Sequence, residues 1–239
     1  MNVAAGLGSR EQSRRRAQEL SLACEASGFE LQIAEGPDSE EALFEFVLAA
    51  VAEIEPALLI APSPHDLHPR HELVGRVAVS ACEHVRSRFV VPQRLWLWGL
   101  WADLEFPTLL VGFEEERLAE ILRCLEAHRG ELERNDYRRL VRGRAEMNAS
   151  LGPERVFGFG TAAPSLGYVE LLTEVELAEG TWRLGTRRWL DPQDPFGTAP
   201  CLTTQRAFAR SRALTASVGP PRTAPRSIED WLHSRRTEP

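Results

Sequence analysis

The sequence contains no lysine: all 28 of its basic residues are arginine, which we read as the coding preference of a GC-rich genome and not as a function. It has no basic run interleaved with aromatics in its body, and its net charge is −7. Both facts argue against a nucleic-acid binder that tracks a phosphate backbone. No apolar run approaches membrane-spanning length, and no basic-then-apolar leader opens the chain. A cytoplasmic protein is the expectation. The four cysteines (Cys24, Cys82, Cys124 and Cys201) lack any CxxC spacing, so buried free thiols are expected rather than a disulfide framework or a thiolate metal site. Internal repeats are absent too.

What is present suits one soluble α/β domain. The 239 residues, 43% hydrophobic and 26% charged, are enough for a full core. Ser9 and Gln12 form a capping box ahead of a helix that ends near Gly28. Residues 29–34 read as a strand, residues 38–54 as a helix stopped by Pro56, and residues 57–61 as a strand covered on both faces. A helix over residues 69–88 and a strand over residues 94–98 follow. This alternation predicts a Rossmann-like, mostly parallel sheet flanked by helices. The second half predicts one long helix over residues 114–133, another over 136–150, and a C-terminal β-hairpin turning at Ala178-Glu179-Gly180. Residues 1–190 form the expected domain. Residues 191–239 read as a basic tail, with seven arginines against three acids from Arg206 onward, and with Ile228 to Leu232 as its one docking candidate.

In open parallel sheets, ligands sit beyond the carboxyl ends of the strands. The loop after residues 57–61 holds His65, Asp66, His68 and His71, and so half of the six histidines. Pro64 and Pro69 hold their preceding residues extended, and Pro69 suits the first helical position. His71 then falls in the first helical turn, where the helix dipole favours a neutral, metal-binding imidazole. Asp66 can accept from a ring N–H of His68 or His71, as the carboxylates behind ligating histidines do in metal sites. The same residue types are also common in plain loops, in which case Asp66 only caps the helix. Two histidines do not complete a zinc site, which takes three protein ligands and a water.

Asp66-Leu67-His68-Pro69-Arg70-His71 resembles the D-x-H-P-D-H segment of the PIG-L/LmbE de-N-acetylases, departing from it at Arg70. Arg16-x-x-Glu19 resembles that family's R-x-x-E helix, and Leu125 to Glu131, with His128, its A-L-x-x-H-x-S-Q helix. Tyr168-Val169-Glu170 resembles the late segment that returns a Glu to the site. Together these span about residues 9 to 176. The resemblance implies hydrolysis of an N-acetyl amide on an N-acetylglucosamine-like conjugate, with Zn2+ or another divalent transition metal as cofactor. It implies His71 as metal ligand, His68 at the oxyanion or leaving amine, Asp66 as the orienting carboxylate and Arg16 on the substrate. Read from the residues instead, Glu19 makes a surface ion pair with Arg16, His128 is a partly buried helix residue, and Trp96 and Trp98 alternate as core.

The family's A-H-P-D-D-E motif is absent; Ala34-Glu35-Gly36-Pro37-Asp38 comes nearest and lacks the His. The chain reads as opening almost on a helix, without the N-terminal strands. The favoured expectation is that the protein begins upstream of Met1; the alternative is a non-catalytic carbohydrate- or protein-binding descendant. A third idea completes a metal site from Asp38, Glu35 or His84. An uncovered sheet edge would invite oligomers.

Overall fold

A computed structural model describes residues 2–5, 10–34, 39–86, 94–162, 166–191 and 227–234. Its elements run β1 (Asn2–Ala5), α1 (Arg10–Ser27), β2 (Leu31–Ala34), α2 (Glu40–Ile54), β3 (Leu58–Pro62), α3 (Pro69–Arg86), β4 (Arg94–Trp98) and β5 (Leu109–Phe113). They continue with α4 (Glu115–Leu125), α5 (Arg129–Arg134), α6 (Tyr137–Phe157), β6 (Tyr168–Ala178), β7 (Thr181–Leu184), β8 (Arg188–Trp189) and α7 (Ile228–His233).

The main sheet has the order β3-β4-β6-β5-β8, with β7 also paired to β6. The strands are mostly parallel in direction: β6 runs against β4, β5 and β7, while β3 and β8 run parallel to β4 and β5. One face of the sheet carries Leu95, Leu97 and Val175 against Ala78, Val79 and Cys82 of α3. On the same side α6 lays Ala149 and Val156 over Leu110, Val169 and Leu171. Because strand side chains alternate, the opposite face shows Trp96, Leu109 and Leu172.

Several expectations change here. The chain does not open on a helix: β1 precedes α1 and pairs in parallel with β2, Asn2 opposite Leu31, as a small separate sheet. Four residues with Val3 as their one β-branched member give too little pattern to be read as a strand. The helix expected over residues 114–133 is two. It tightens where the N–H groups of Ala127 and His128 bond three residues back, to Cys124 and Leu125, and it restarts as α5. The helix expected to stop at Ser150 runs through Pro153 to Phe157. Gly152 lets this added stretch lie directly on β6, since a Cβ there would stand 3.1 Å from Leu171. The capping box at Ser9, and Glu35 and Asp38, fall outside the described residues or side chains. Ser39 instead caps α2, accepting from the Ala42 N–H at 3.2 Å. Cys82 and Cys124 are free thiols, Cys24 is buried, and burial pushes the Cys82 thiol up to about 12. Cys201 lies outside the described residues, as does all of the tail except Asp191 and residues 227–234. Within that last stretch α7 buries Trp231 and Leu232 in the main core.

The topology creates one feature that matters for chemistry. β3 and β4 are adjacent and parallel, with Pro62 opposite Trp98, so the loops leaving their carboxyl ends start side by side. The Ser63 N–H donates to the Trp98 carbonyl at 2.6 Å and ties the two exits together.

Candidate active site

Asp66 stands at the centre, its residue surface 0% exposed. A buried carboxylate needs its acceptor capacity filled, and here it is. Oδ1 accepts three backbone N–H groups from the neighbouring loop: Leu100 at 2.7 Å, Trp101 at 2.8 Å and Ala102 at 3.1 Å. Oδ2 accepts from His71 Nδ1 at 2.6 Å. Bonds to a charged acceptor contribute about 1.5–3 kcal/mol each, so this carboxylate organises both loops. The bond calls for a proton on His71 Nδ1, so the neutral ring is the tautomer with its lone pair on Nε2.

Two glycines permit the closeness. A Cβ on Gly75 of α3 would sit 2.6 Å from the Pro62 carbonyl oxygen and 2.7 Å from the Pro64 nitrogen. A Cβ on Gly99 would sit 2.6 Å from the Ala102 oxygen. Leu67 takes a left-handed φ of 38°, with the His68 N–H bonded back to the Asp66 carbonyl. Strain of this kind collects where a loop is over-determined by its surroundings.

Around this pair, His71 meets the edge of Trp98 with centroids 5.1 Å apart, and His68 lies 4.6 Å from the His71 ring. His68 stacks toward Trp101 at 6.3 Å, and Trp101 meets Tyr137 edge-on at 6.4 Å. The Nδ1 atom of His68 is buried without a hydrogen-bond partner. Burial lowers the His68 pKa, the neighbouring His71, Arg70 and Arg134 lower it further, and Asp66 opposes them. The neutral imidazole is therefore favoured.

Arg144 of α6 braces the second loop from behind. Its Nη1 donates to the Leu100 carbonyl at 2.9 Å and its Nη2 to the Gly99 carbonyl at 3.3 Å. Those carbonyls belong to the same peptide groups whose N–H bonds, on Leu100 and Trp101, point at Asp66. Two peptide planes thus join a guanidinium to a carboxylate, an arrangement in which each hydrogen bond polarises the next. Glu170 of β6 lines the same hollow as Arg144, Asn148 and Arg155, and burial raises its pKa while Arg144 works against the rise.

Of the residues singled out from the sequence, Asp66, His68 and His71 converge. Arg16 extends instead toward Glu131 of α5, at 4.0 Å. Glu19 corrects the surface-pair reading: it is buried, it bonds Arg15 at 2.9 Å rather than Arg16, and it accepts the Gly130 N–H at 3.0 Å to cap α5. His128 precedes α5 and offers its carbonyl to Glu131 and Leu132. Trp96 is core, as its alternation suggested, but its indole N–H bonds Glu174 at 2.9 Å. His84 meets the ring of Phe44. The three loop amides and Arg144 carried no sequence signal, because backbone groups have no residue signature and an arginine every few residues hides one that acts.

As a metal site the set is partial. Asp66 has both oxygens engaged, leaving His71 Nε2 and the buried His68 Nδ1 as nitrogens without a protein partner among the described residues. No group of three or more His, Cys, Asp or Glu side chains among the described residues is arranged to hold a metal ion. The donors fit one ligand with its orienting carboxylate and do not by themselves fit a complete zinc site.

No family model and no curated protein matches the sequence. Solved structures do resemble this one. The conserved protein TT1542 from Thermus thermophilus aligns with a TM-score of 0.54 and 17% identity, over 71% of this chain and 78% of that one. The A40926 pseudoaglycone deacetylase Dbv21 aligns with a TM-score of 0.51 and 18% identity, over 74% of this chain and 72% of that one. The chain shares the α/β fold of these two proteins.

Proposed function

We propose that this protein is an amide hydrolase of the de-N-acetylase type, acting on an N-acetylated sugar conjugate. The observation that carries the reading is the buried Asp66, which holds three loop amides with one oxygen and His71 Nδ1 at 2.6 Å with the other. The resemblance of its segment to the PIG-L/LmbE motif, and a fold shared with a protein described as a deacetylase, point the same way.

His71 would hold a zinc ion, or another divalent transition metal, through Nε2, with the remaining ligands coming from groups other than these. Such an ion, when bound, polarises an acyl carbonyl and lowers the pKa of water. Asp66 keeps the ring in the ligating tautomer and turned outward. His68, with its buried Nδ1, would steady a tetrahedral oxyanion through a ring N–H, or take the proton released by the attacking water and pass it to the departing amine. Trp101, 43% exposed beside His68, offers a platform for a sugar ring. Arg16 would contact a group attached to that sugar.

The absence of a third converging donor among the described residues favours a second reading, a carbohydrate- or protein-binding protein without catalysis. Release of free amine from N-acetylglucosamine conjugates, with zinc supplied, separates the two. The hydrolase reading expects turnover that falls at least about tenfold in Asp66→Asn, the scale on which carboxylates that orient a ligating histidine act, and further in His71→Ala. Ligand binding with no amine released, by wild type and variants alike, would leave the second reading.

A further inference from the structure

The helix α7 lies far along the chain from the site, yet its Trp231 touches both loops that build it. The His65 Nε2–H donates to the Trp231 carbonyl at 2.5 Å, across 166 residues of sequence, and the two rings lie 4.9 Å apart. His65 immediately precedes Asp66. On its other side Trp231 meets Phe106 edge-on at 5.5 Å, and Phe106 belongs to the loop that supplies the Leu100 to Ala102 amides.

The helix is anchored independently of these contacts. Trp231 and Leu232 are 2% and 1% exposed within the main core. The Trp182 N–H donates to Glu229 at 2.9 Å, and Glu83 of α3 accepts from the Trp182 indole at 2.7 Å with His233 at 3.0 Å. Ser227 caps the helix, accepting the Asp230 N–H at 3.0 Å. Closing a connection this long has an entropic cost that local contacts do not carry, and burial of two large side chains offsets it.

We propose that α7 is a positioning element for the site: Trp231, wedged between the two loops and bonded to His65, sets the separation at which Asp66 reaches the three amides. His65 and Trp231 are positioning residues; the hydrogen bonds of the Asp66 carboxylate and the His71 ring go to other groups. This role holds whichever chemistry the site performs, so its test uses no turnover.

The test is made in the full chain. His65 is partly exposed, so His65→Ala should leave the core intact where truncating Trp231 would not. Amide exchange over Leu100 to Ala102 should speed about tenfold, a change of the size of one hydrogen bond, while exchange in α2 and β6 stays as in wild type. His65→Gln, whose amide N–H can still donate to the Trp231 carbonyl, should restore protection. Wild-type protein should show a slowly exchanging His65 Nε2–H resonance that Trp231→Phe, which keeps the carbonyl, retains. Unchanged exchange over Leu100 to Ala102 in His65→Ala, an equal rise throughout the sheet, or no recovery in His65→Gln overturns the proposal.

Discussion

Asp66 illustrates how a single side chain can be worth more to structure than its size suggests. Removing it by Asp66→Ala strands three loop N–H groups and should cost about 3 kcal/mol or more, read from urea unfolding, since each unmet buried donor costs about 1–3 kcal/mol. Asp66→Asn should cost less, because one oxygen still accepts. Its new NH2 group faces His71, however, and would force that ring to take its proton on Nε2. His68 makes a separate, pH-dependent prediction. Its folded pKa is lowered chiefly by burial, so between the folded pKa and the ordinary value near 6.5 the unfolded chain binds the extra proton. Stability should therefore be flat at higher pH and decline as pH falls from about 6.5, and His68→Gln should remove that part of the slope in urea midpoints.

Between elements, the close approach of α3 to the loop after β3 rests on Gly75. Gly75→Ala puts a Cβ 2.6 Å from the Pro62 oxygen, so helix or loop must move; about 1–3 kcal/mol of stability should be lost in thermal unfolding, with the Asp66 bonds loosened. The elements that the sequence announced were those whose signal is local. Asp66, His68 and His71 fall within six residues, Pro69 starts α3, and Trp96 alternates with Leu95 and Leu97. What stayed hidden depends on distant partners. β5 is a short apolar run that could belong to several structures, and the antiparallel insertion of β6 between β4 and β5 has no local mark. Glu174 sits among alternating acids on β6 that look solvent-facing. It is nonetheless fully buried, because Arg188 and Trp96 come from elsewhere in the chain to meet it.

For the molecule as a whole, the Glu174–Arg188 pair places a fully buried carboxylate against a mostly buried guanidinium. Glu174 also forms an ion pair with Arg94 at 3.5 Å, and its own N–H donates to Thr108 at 2.7 Å. Glu174→Leu alone should cost about 3–5 kcal/mol, since it takes the carboxylate away from a mostly buried guanidinium, whereas Glu174→Leu with Arg188→Met should recover much of that loss in the same unfolding assay. The sheet edge at β3 is paired on one side only among the described residues and carries a 55% exposed Ile60. No helix among the described residues is long and apolar enough to cross a membrane. The fold bonds one imidazole, His71, through Nδ1 to a buried carboxylate, so that in the neutral ring the lone pair lies on Nε2. Long-range 1H–15N spectra of the His71 ring in the intact protein test this arrangement directly. In the neutral ring Nδ1 should carry the proton, and the unprotonated Nε2 resonance should move when zinc is added. A proton found on Nε2, with Nδ1 bare, would contradict it.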